Sequence, residues 1–139
     1  MTQVTISVTD QPELCFKLRE AVFMDEQGFP EDRDAEDAVA LHLLAKAADT
    51  PVGAARIVFN KDTAKIGRVC VVPEARGAGL GAAIIRAAME IARDMPGVKT
   101  AALSAQVSVM GFYEGLGFVA LGPEHDDLGV PHQMMVQDL

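Results

Sequence analysis

The sequence predicts a mixed α/β fold, of α+β type, in which helices flank a mostly antiparallel sheet. Three apolar segments separated by turn residues follow one another between residues 39 and 72, which indicates consecutive antiparallel strands. A glycine-rich loop then leads into an amphipathic helix, and strand and helix patterns alternate beyond it. The 139 residues, 50% of them hydrophobic, match the size of one domain with its own core, so we expect a single domain over residues 1–139.

The N-terminal part carries one strand, one helix and one acidic loop. Residues 4–8 alternate apolar and polar side chains, which predicts a strand with one buried face. Asp10 and Glu13 have the spacing of a capping box, and apolar residues at helical spacing predict a helix that runs to about Asp25. Residues 28–37 are rich in acids and follow neither period, so they predict a loop, and a solvated turn is its simplest interpretation.

The central strands and the longest helix come next. Residues 39–47 and 52–59 flank a turn and predict a hairpin, and a second turn leads to a strand over residues 65–72. A helix begins near Leu80, carries its apolar residues on one face and stops at the Met-Pro-Gly sequence that starts at Met95.

The remaining elements are short. Residues 100–105 and 118–121 predict strands on either side of a helix over residues 107–115. Turn residues between positions 126 and 131 then precede a last strand over residues 133–136.

Charge and composition exclude several classes of function. A net charge of -8 has the wrong sign for a surface that neutralises many phosphates, so we expect no nucleic-acid partner. Neither a leader nor a membrane-spanning segment is recognisable, so we expect a cytoplasmic protein without a membrane partner. Cys15 and Cys70 lie in apolar surroundings and are predicted to be reduced core residues, and neither suggests a metal site.

Three glycines at alternate positions, Gly77, Gly79 and Gly81, connect the strand to the long helix. Their backbone can approach a ligand closely, and the unpaired N–H groups of a first helical turn suit a pyrophosphate, with Arg76 adding a positive charge. A nucleoside triphosphatase loop would need Lys and Ser or Thr after the last glycine, and a dinucleotide fold would need another glycine spacing. A turn without chemical use remains the alternative.

The same segment carries a resemblance to a known family. Residues 69–81, read as V-C-V-V-P-E-A-R-G-A-G-L-G, resemble the acyl-CoA motif of the GNAT superfamily of N-acetyltransferases. Residues 112–114 with Gly117 and Phe118 are similar to that superfamily's second motif. Further residues resemble the small ElaA-like, or YjcF-like, bacterial branch: Val22, Phe23, Glu26, Gln27, Pro30, Asp34, Asp37, His42, residues 66–69, Ala105, Gln106, Gly129, Val130 and His132.

The resemblance implies a cosubstrate and a place for each of its parts. It implies that central parallel strands splay apart and that acetyl-CoA binds in the gap, without a metal. The positions that it assigns to the cosubstrate are Val69, Cys70 and Val71 beside the pantetheine arm, and Arg76, Gly77, Ala78, Gly79, Leu80 and Gly81 around the pyrophosphate. It further implies that the Val71 N–H polarises the thioester carbonyl and that Tyr113 faces the sulfur.

Acyl transfer to an amine also needs groups that move protons. Tyr113 is the only tyrosine, and its phenol could protonate the departing thiolate, with ordinary packing as the alternative. Glu26 is a candidate general base, because the like charge of Asp25 is expected to raise its pKa, with a solvated helix-end acid as the alternative.

Several residues are candidates for holding the acceptor. Gln106 could contact the acceptor or the pantetheine arm through its amide, with an ordinary cap as the alternative. His42 or His132 could relay a proton, with a structural histidine as the alternative for His42. The acidic face around Glu26, Glu31, Asp34 and Asp37 is expected to attract a cationic amine.

Two functions follow from these observations. The first is an N-acetyltransferase that moves an acetyl group from acetyl-CoA directly to an amine. The second is a module that senses acyl-CoA without turnover. The oligomeric state stays open between a monomer and a homodimer.

Overall fold

The computed structural model describes residues 3–139, which form one seven-stranded mixed sheet with helices on its faces. The strands are ordered β1-β2-β3-β4-β5-β7-β6 across the sheet. Their bounds are Val4–Val8 (β1), Leu41–Ala47 (β2), Thr50–Asn60 (β3), Thr63–Val71 (β4), Thr100–Gln106 (β5), Val119–Asp127 (β6) and Val130–Asp138 (β7). The α-helices are Pro12–Arg19 (α1), Leu80–Asp94 (α2) and Met110–Glu114 (α3). Within the described residues, no helix is long and apolar enough to cross a membrane.

The predicted fold class is confirmed, including the separation of the parallel strands. β1 to β4 pair antiparallel in chain order, and β4 and β5 are parallel. Their pairing runs only from Thr63 opposite Thr100 to Lys65 opposite Ala102. Beyond that point the two strands diverge, because β4 bulges where its pairing with β3 shifts register and Arg68 adopts a φ of 52°. A gap therefore opens in the middle of the sheet.

The first helix changes its hydrogen-bonding pattern along its length. α1 ends at Arg19, and a π-helical segment, Glu20–Glu26, continues to the predicted end of the helix. The predicted capping box is wrong, because the helix begins at Pro12 and neither predicted acid caps it. The wider π turns at the end of this segment include the N–H of Gln27 bonded to the carbonyl of Val22 at 3.0 Å.

The last hairpin is longer than the sequence predicts. The predicted turn residues 126, 127 and 131 lie inside β6 and β7, and the turn consists of Leu128 and Gly129 alone. Both turn residues have positive φ, 52° and 85°. Such a two-residue turn matches the twist of paired strands, so pairing continues up to it.

The core has two parts, one on each face of the sheet. The larger lies under α2 and includes Ile84, Ile85, Leu103 and Met135. The smaller lies under α1 and contains Cys15, Leu18, Val22, Leu44, Ala54 and Cys70. Both cysteines are free and buried, as expected, and burial raises the pKa of Cys15 to about 11 and that of Cys70 to about 12.

Candidate active site

A cavity of about 550 Å³ opens where β4 and β5 separate. One wall comes from residues 66–69 of β4 and another from Leu103, Ser104 and Gln106 of β5. The β6–β7 hairpin and the segment around residues 31–36 complete it, so the cavity joins the sheet gap to the protein surface. A cleft of this size is typical of a small-molecule site.

The register of β3 and β4 directs the backbone of Val71 into the gap. Val72 donates its N–H to the carbonyl of Val52 at 3.0 Å, and Val71 lies opposite Gly53. Because bonded and unbonded pairs alternate in antiparallel strands, the pair beside a bonded one turns its N–H and C=O away from the partner strand. The N–H of Val71 therefore points to the side from which β5 has diverged. On that side its carbonyl accepts a hydrogen bond from Arg76 Nε at 2.9 Å.

The glycine loop, residues 76–81, leaves backbone donors open at the start of α2. Gly77 and Gly79 have φ values of 86° and 80°, in the left-handed region that favours glycine. Among residues 3–139, no atom lies within 4 Å of the place where a Cβ at either glycine would be. Helical hydrogen bonding resumes at Ala83, whose N–H reaches the carbonyl of Gly79 at 3.0 Å. The N–H groups of the first turn are therefore available to an anion.

Glu26 and Arg76 form a two-armed ion pair beside this loop. Arg76 donates from Nη1 and Nη2 to the carboxylate of Glu26 at 2.7 and 2.6 Å, and both side chains are exposed. The expectation that Asp25 raises the pKa of Glu26 is wrong, because the hydrogen bonds from Arg76 lower it. The pairing leaves Glu26 a weaker base than an ordinary glutamate.

Tyr113 lies on α3 and lines the cavity. Its ring makes edge contacts with Phe112 and Phe118, at centroid distances of 5.0 and 6.3 Å. Burial raises the pKa of the Tyr113 phenol, so the group stays protonated at neutral pH. Packing and a proton-donating role are compatible here, because the aromatic neighbours hold the ring at the cavity wall.

The acidic segment, residues 31–37, is not a solvated turn. Asp32 and Asp37 pair with Arg19 at 2.8 Å each, and the Arg19 side chain is only 1% exposed. Residues 35–38 form a short 3-10 helix capped by Asp34, which delays the start of β2 to Leu41. Buried carboxylates need a positively charged partner, and here that partner is Arg19, which precedes the acidic segment in the sequence by more than ten residues.

Two further arginines extend this cluster toward the cavity. Arg56 bonds Asp34 at 2.7 Å and Asp37 at 3.0 Å, and Arg68 bonds Asp34 at 3.2 Å. The hydrogen bond from Arg56 lowers the pKa of Asp34, despite some desolvation. The charges of Asp34 and Asp37 are thus largely balanced within the protein, although their predicted attraction for a cationic acceptor stays a prediction.

The structure brings only part of the predicted site together. The predicted residues that line the cavity are Val69, Tyr113, Gln106, Asp34 and His132. Gln106 also bonds Gln27 at 3.2 Å, which links β5 to the end of the π-helical segment. The remaining predicted positions lie outside the cavity lining: Glu26, Asp37, His42, Cys70, Val71 and the glycine loop. The side chain of Cys70 packs toward α1, so its contact with a cosubstrate would be through its backbone.

His125 is a cavity residue that the sequence did not single out. It lies directly opposite His132 in the β6–β7 pairing, and the two rings stack at 6.0 Å. Its Nε2 lies 3.3 Å from the hydroxyl of Ser104. A strand predicted across residues 119–127 would have placed His125 opposite His132, but the acids and Gly122 in that stretch are typical of turns.

Comparisons with known proteins agree with this architecture. A family model described as an acetyltransferase (GNAT) domain matches residues 19–139. The uncharacterized N-acetyltransferase YjcF of Bacillus subtilis is 33% identical, over 99% of this chain and 100% of YjcF. The structure of an acyl-CoA N-acyltransferase from Pseudomonas aeruginosa is similar at a TM-score of 0.86 and 28% identity, over 99% of each chain. That of Escherichia coli ElaA is similar at 0.85 and 28%, with the same coverage.

Proposed function

The chain belongs to the GNAT acetyltransferase family, and we propose that it moves an acetyl group from acetyl-CoA to an amine by direct attack in a ternary complex. In this proposal residues 1–139 act as one acyl-CoA-binding domain. The observation that carries it is the strand gap, where an open cavity is lined by the Tyr113 ring and the register of β3 and β4 turns the Val71 N–H away from β3.

The residues around the gap fit the two ends of the cosubstrate. The open N–H groups of the glycine loop, with the positive end of the α2 dipole, suit the pyrophosphate despite the net charge of -8. The Val71 N–H, directed into the gap, would donate to the thioester oxygen, on which negative charge grows as the amine attacks. Backbone donors of this kind are already oriented and need no rearrangement during the reaction.

Proton transfers complete the reaction. The neutral amine forms the new C–N bond at the thioester carbon, and the C–S bond breaks. The Tyr113 phenol, which is protonated at neutral pH, gives its proton to the departing thiolate and recovers one from solvent. The amine must lose one proton before attack and a second one afterwards.

The acceptor is proposed to be a cationic amine. Glu31 and Asp127 line the cavity, are exposed and form no ion pair with any of residues 3–139. These free charges, rather than the paired Asp34 and Asp37, would contribute most to attraction of an ammonium group.

The test is thiol release from acetyl-CoA in the presence of a panel of amines, with Tyr113→Phe as the critical variant. Removal of the phenolic hydroxyl should lower kcat by about 100-fold or more and leave acetyl-CoA affinity unchanged. Ser104→Ala, which removes another hydroxyl from the same cavity, is the matched control and should retain nearly full kcat.

Two outcomes would change the proposal. Near wild-type turnover in Tyr113→Phe would show that solvent or the acceptor protonates the thiolate. Tight acetyl-CoA binding without thiol release from any amine would favour the second function, an acyl-CoA sensor without turnover.

A further inference from the structure

Two of the three histidines, His125 and His132, face each other on the β6–β7 hairpin and line the cavity. His132 is 7% exposed, whereas His125 is exposed. Gln106 lies opposite His132 on the other side, in β5. His132 thus lies in the middle of a row of polar side chains that crosses three strands beside the cavity.

The hydrogen bond of His132 determines which of its nitrogens can accept a proton. Nδ1 lies 2.8 Å from the backbone carbonyl of Val130. A carbonyl oxygen only accepts, so Nδ1 must carry the hydrogen, and in the neutral ring the lone pair is then on Nε2. The Val130 carbonyl therefore holds the ring in one tautomer and one orientation.

Nε2 of His132 is open to the cavity. It forms no hydrogen bond with any of residues 3–139, and it is not among their buried polar atoms that lack a partner. The nitrogen is therefore not fully buried, and His132 lines the cavity, although most of the ring is enclosed.

We propose that His132 is the general base of the reaction and that its Nε2 takes a proton from the ammonium group of the acceptor. This inference rests on the proposed acetyltransferase function. The ammonium N–H bond breaks, the proton binds Nε2, and the freed lone pair of the amine forms the C–N bond at the thioester carbon. The C–S bond then breaks, the Tyr113 phenol protonates the thiolate, and the new amide nitrogen loses its second proton to solvent. The imidazolium then releases its proton to solvent, for which the exposed His125 side of the hairpin offers a path.

The other candidate bases are placed less well for this step. Glu26 is outside the cavity lining, and Arg76 occupies both of its oxygens. His42 donates from Nε2 to the carbonyl of Asp37 at 2.9 Å, and its Nδ1 is buried without a partner among residues 3–139. Its only available nitrogen therefore cannot reach a ligand.

Kinetics of His132→Gln test the assignment on an amine that the wild-type protein acetylates. We expect kcat to fall by about 100-fold or more with acetyl-CoA affinity unchanged. The loss should shrink to a few-fold with a weakly basic analogue of the amine, because that analogue reaches the site already deprotonated. A merely structural defect would lower both rates equally. Glu124→Gln, on the same hairpin but outside the cavity lining, is the control and should stay within a few-fold of wild type.

The same assay includes Glu26→Gln as the competing assignment. A kcat for His132→Gln within a few-fold of wild type, or a larger loss in Glu26→Gln than in His132→Gln, would overturn the proposal. So would an equal loss of rate with the basic and the weakly basic amine.

A measurement that does not depend on activity distinguishes failure of the His132 assignment from failure of the acetyltransferase function. Long-range ¹H–¹⁵N correlation of the histidine rings in the wild-type protein should show neutral His132 with its hydrogen on Nδ1. A hydrogen on Nε2 would overturn the base assignment whether or not the protein turns over. The expected tautomer together with no thiol release from any amine would instead overturn the acetyltransferase function, and the proton transfer with it.

Discussion

The glycine loop, residues 76–81, and the acidic segment, residues 31–37, differ in where their polar groups are directed. In the glycine loop, the N–H groups of Gly77 and Gly79 donate no backbone hydrogen bond within residues 3–139. The acidic segment turns Asp32, Asp34 and Asp37 toward three arginines, and two of these arginines are buried. The comparison teaches that a dense run of charge in a sequence is not a measure of the charge available to a ligand.

The largest expected effect is on stability, from the acidic segment. Arg19→Met should lower the free energy of unfolding by about 3–5 kcal/mol, because it removes the buried partner that Asp32 and Asp37 share and leaves them only Arg68 and Arg56. Arg33→Met is the matched control. Both guanidinium groups lie over the ring of Phe16, that of Arg19 at 5.1 Å and that of Arg33 at 4.0 Å, but Arg33 is exposed. Urea unfolding of both variants measures the difference, and similar losses in the two would contradict a structural role for the buried pairs.

The next effect is on ligand binding, from the glycine loop. Gly79→Asp should weaken acetyl-CoA binding by about 100-fold or more, because it places a carboxylate where the loop is to receive pyrophosphate. Gly97→Asp has a matching left-handed φ of 81° beyond the far end of α2, and it controls for backbone strain. Calorimetric titration with acetyl-CoA gives both affinities. Unchanged affinity in a folded Gly79→Asp variant would refute the prediction that the glycine loop binds the pyrophosphate.

A third effect is the loss of stability in acid. Burial alone would raise the pKa of Asp37, but hydrogen bonds from Arg19 and Arg56 outweigh it and lower the pKa, as Arg56 does for Asp34. A lowered folded-state pKa stabilises the protein above the unfolded pKa of about 4 and loses that contribution as pH falls below it. Denaturant unfolding should therefore show a plateau above about pH 5 and a decline below about pH 4. Asp37→Asn should flatten the decline, and an identical decline in that variant would contradict the assignment.

The smallest expected effect is on KM for a cationic amine, and it distinguishes the unpaired from the paired acidic residues at the cavity. Replacing Glu31 and Asp127 by Gln and Asn should raise KM for a cationic amine a few-fold at low salt and less at high salt, because exposed charges are screened. Asp34→Asn should change KM less, since Arg56 and Arg68 already balance its charge. If Asp34→Asn has the larger effect at both salt concentrations, the paired acids do contact the acceptor, as the sequence alone suggested.

Local patterns in the sequence determined the order of the elements and the glycine loop. The alternation in β1, the apolar strands β2 to β4 and the one-sided helix α2 depend on near neighbours in the chain, so their periods are visible without the fold. Glycine indicates backbone conformation directly, and Gly77 and Gly79 have the positive φ values that this residue permits, whereas ligand binding at the loop stays a prediction.

Only the tertiary structure decided which polar groups remain available. The buried partner that Asp32 and Asp37 share, Arg19, comes from α1. Arg76 reaches Glu26 across 50 positions and lowers the pKa that the adjacent Asp25 was expected to raise. The tautomers of His42 and His132 likewise depend on carbonyls that the folded backbone places beside one ring nitrogen. Pairing of this kind depends on distance in space, and burial strengthens it, so a charge or an imidazole has no defined role until the chain around it has folded.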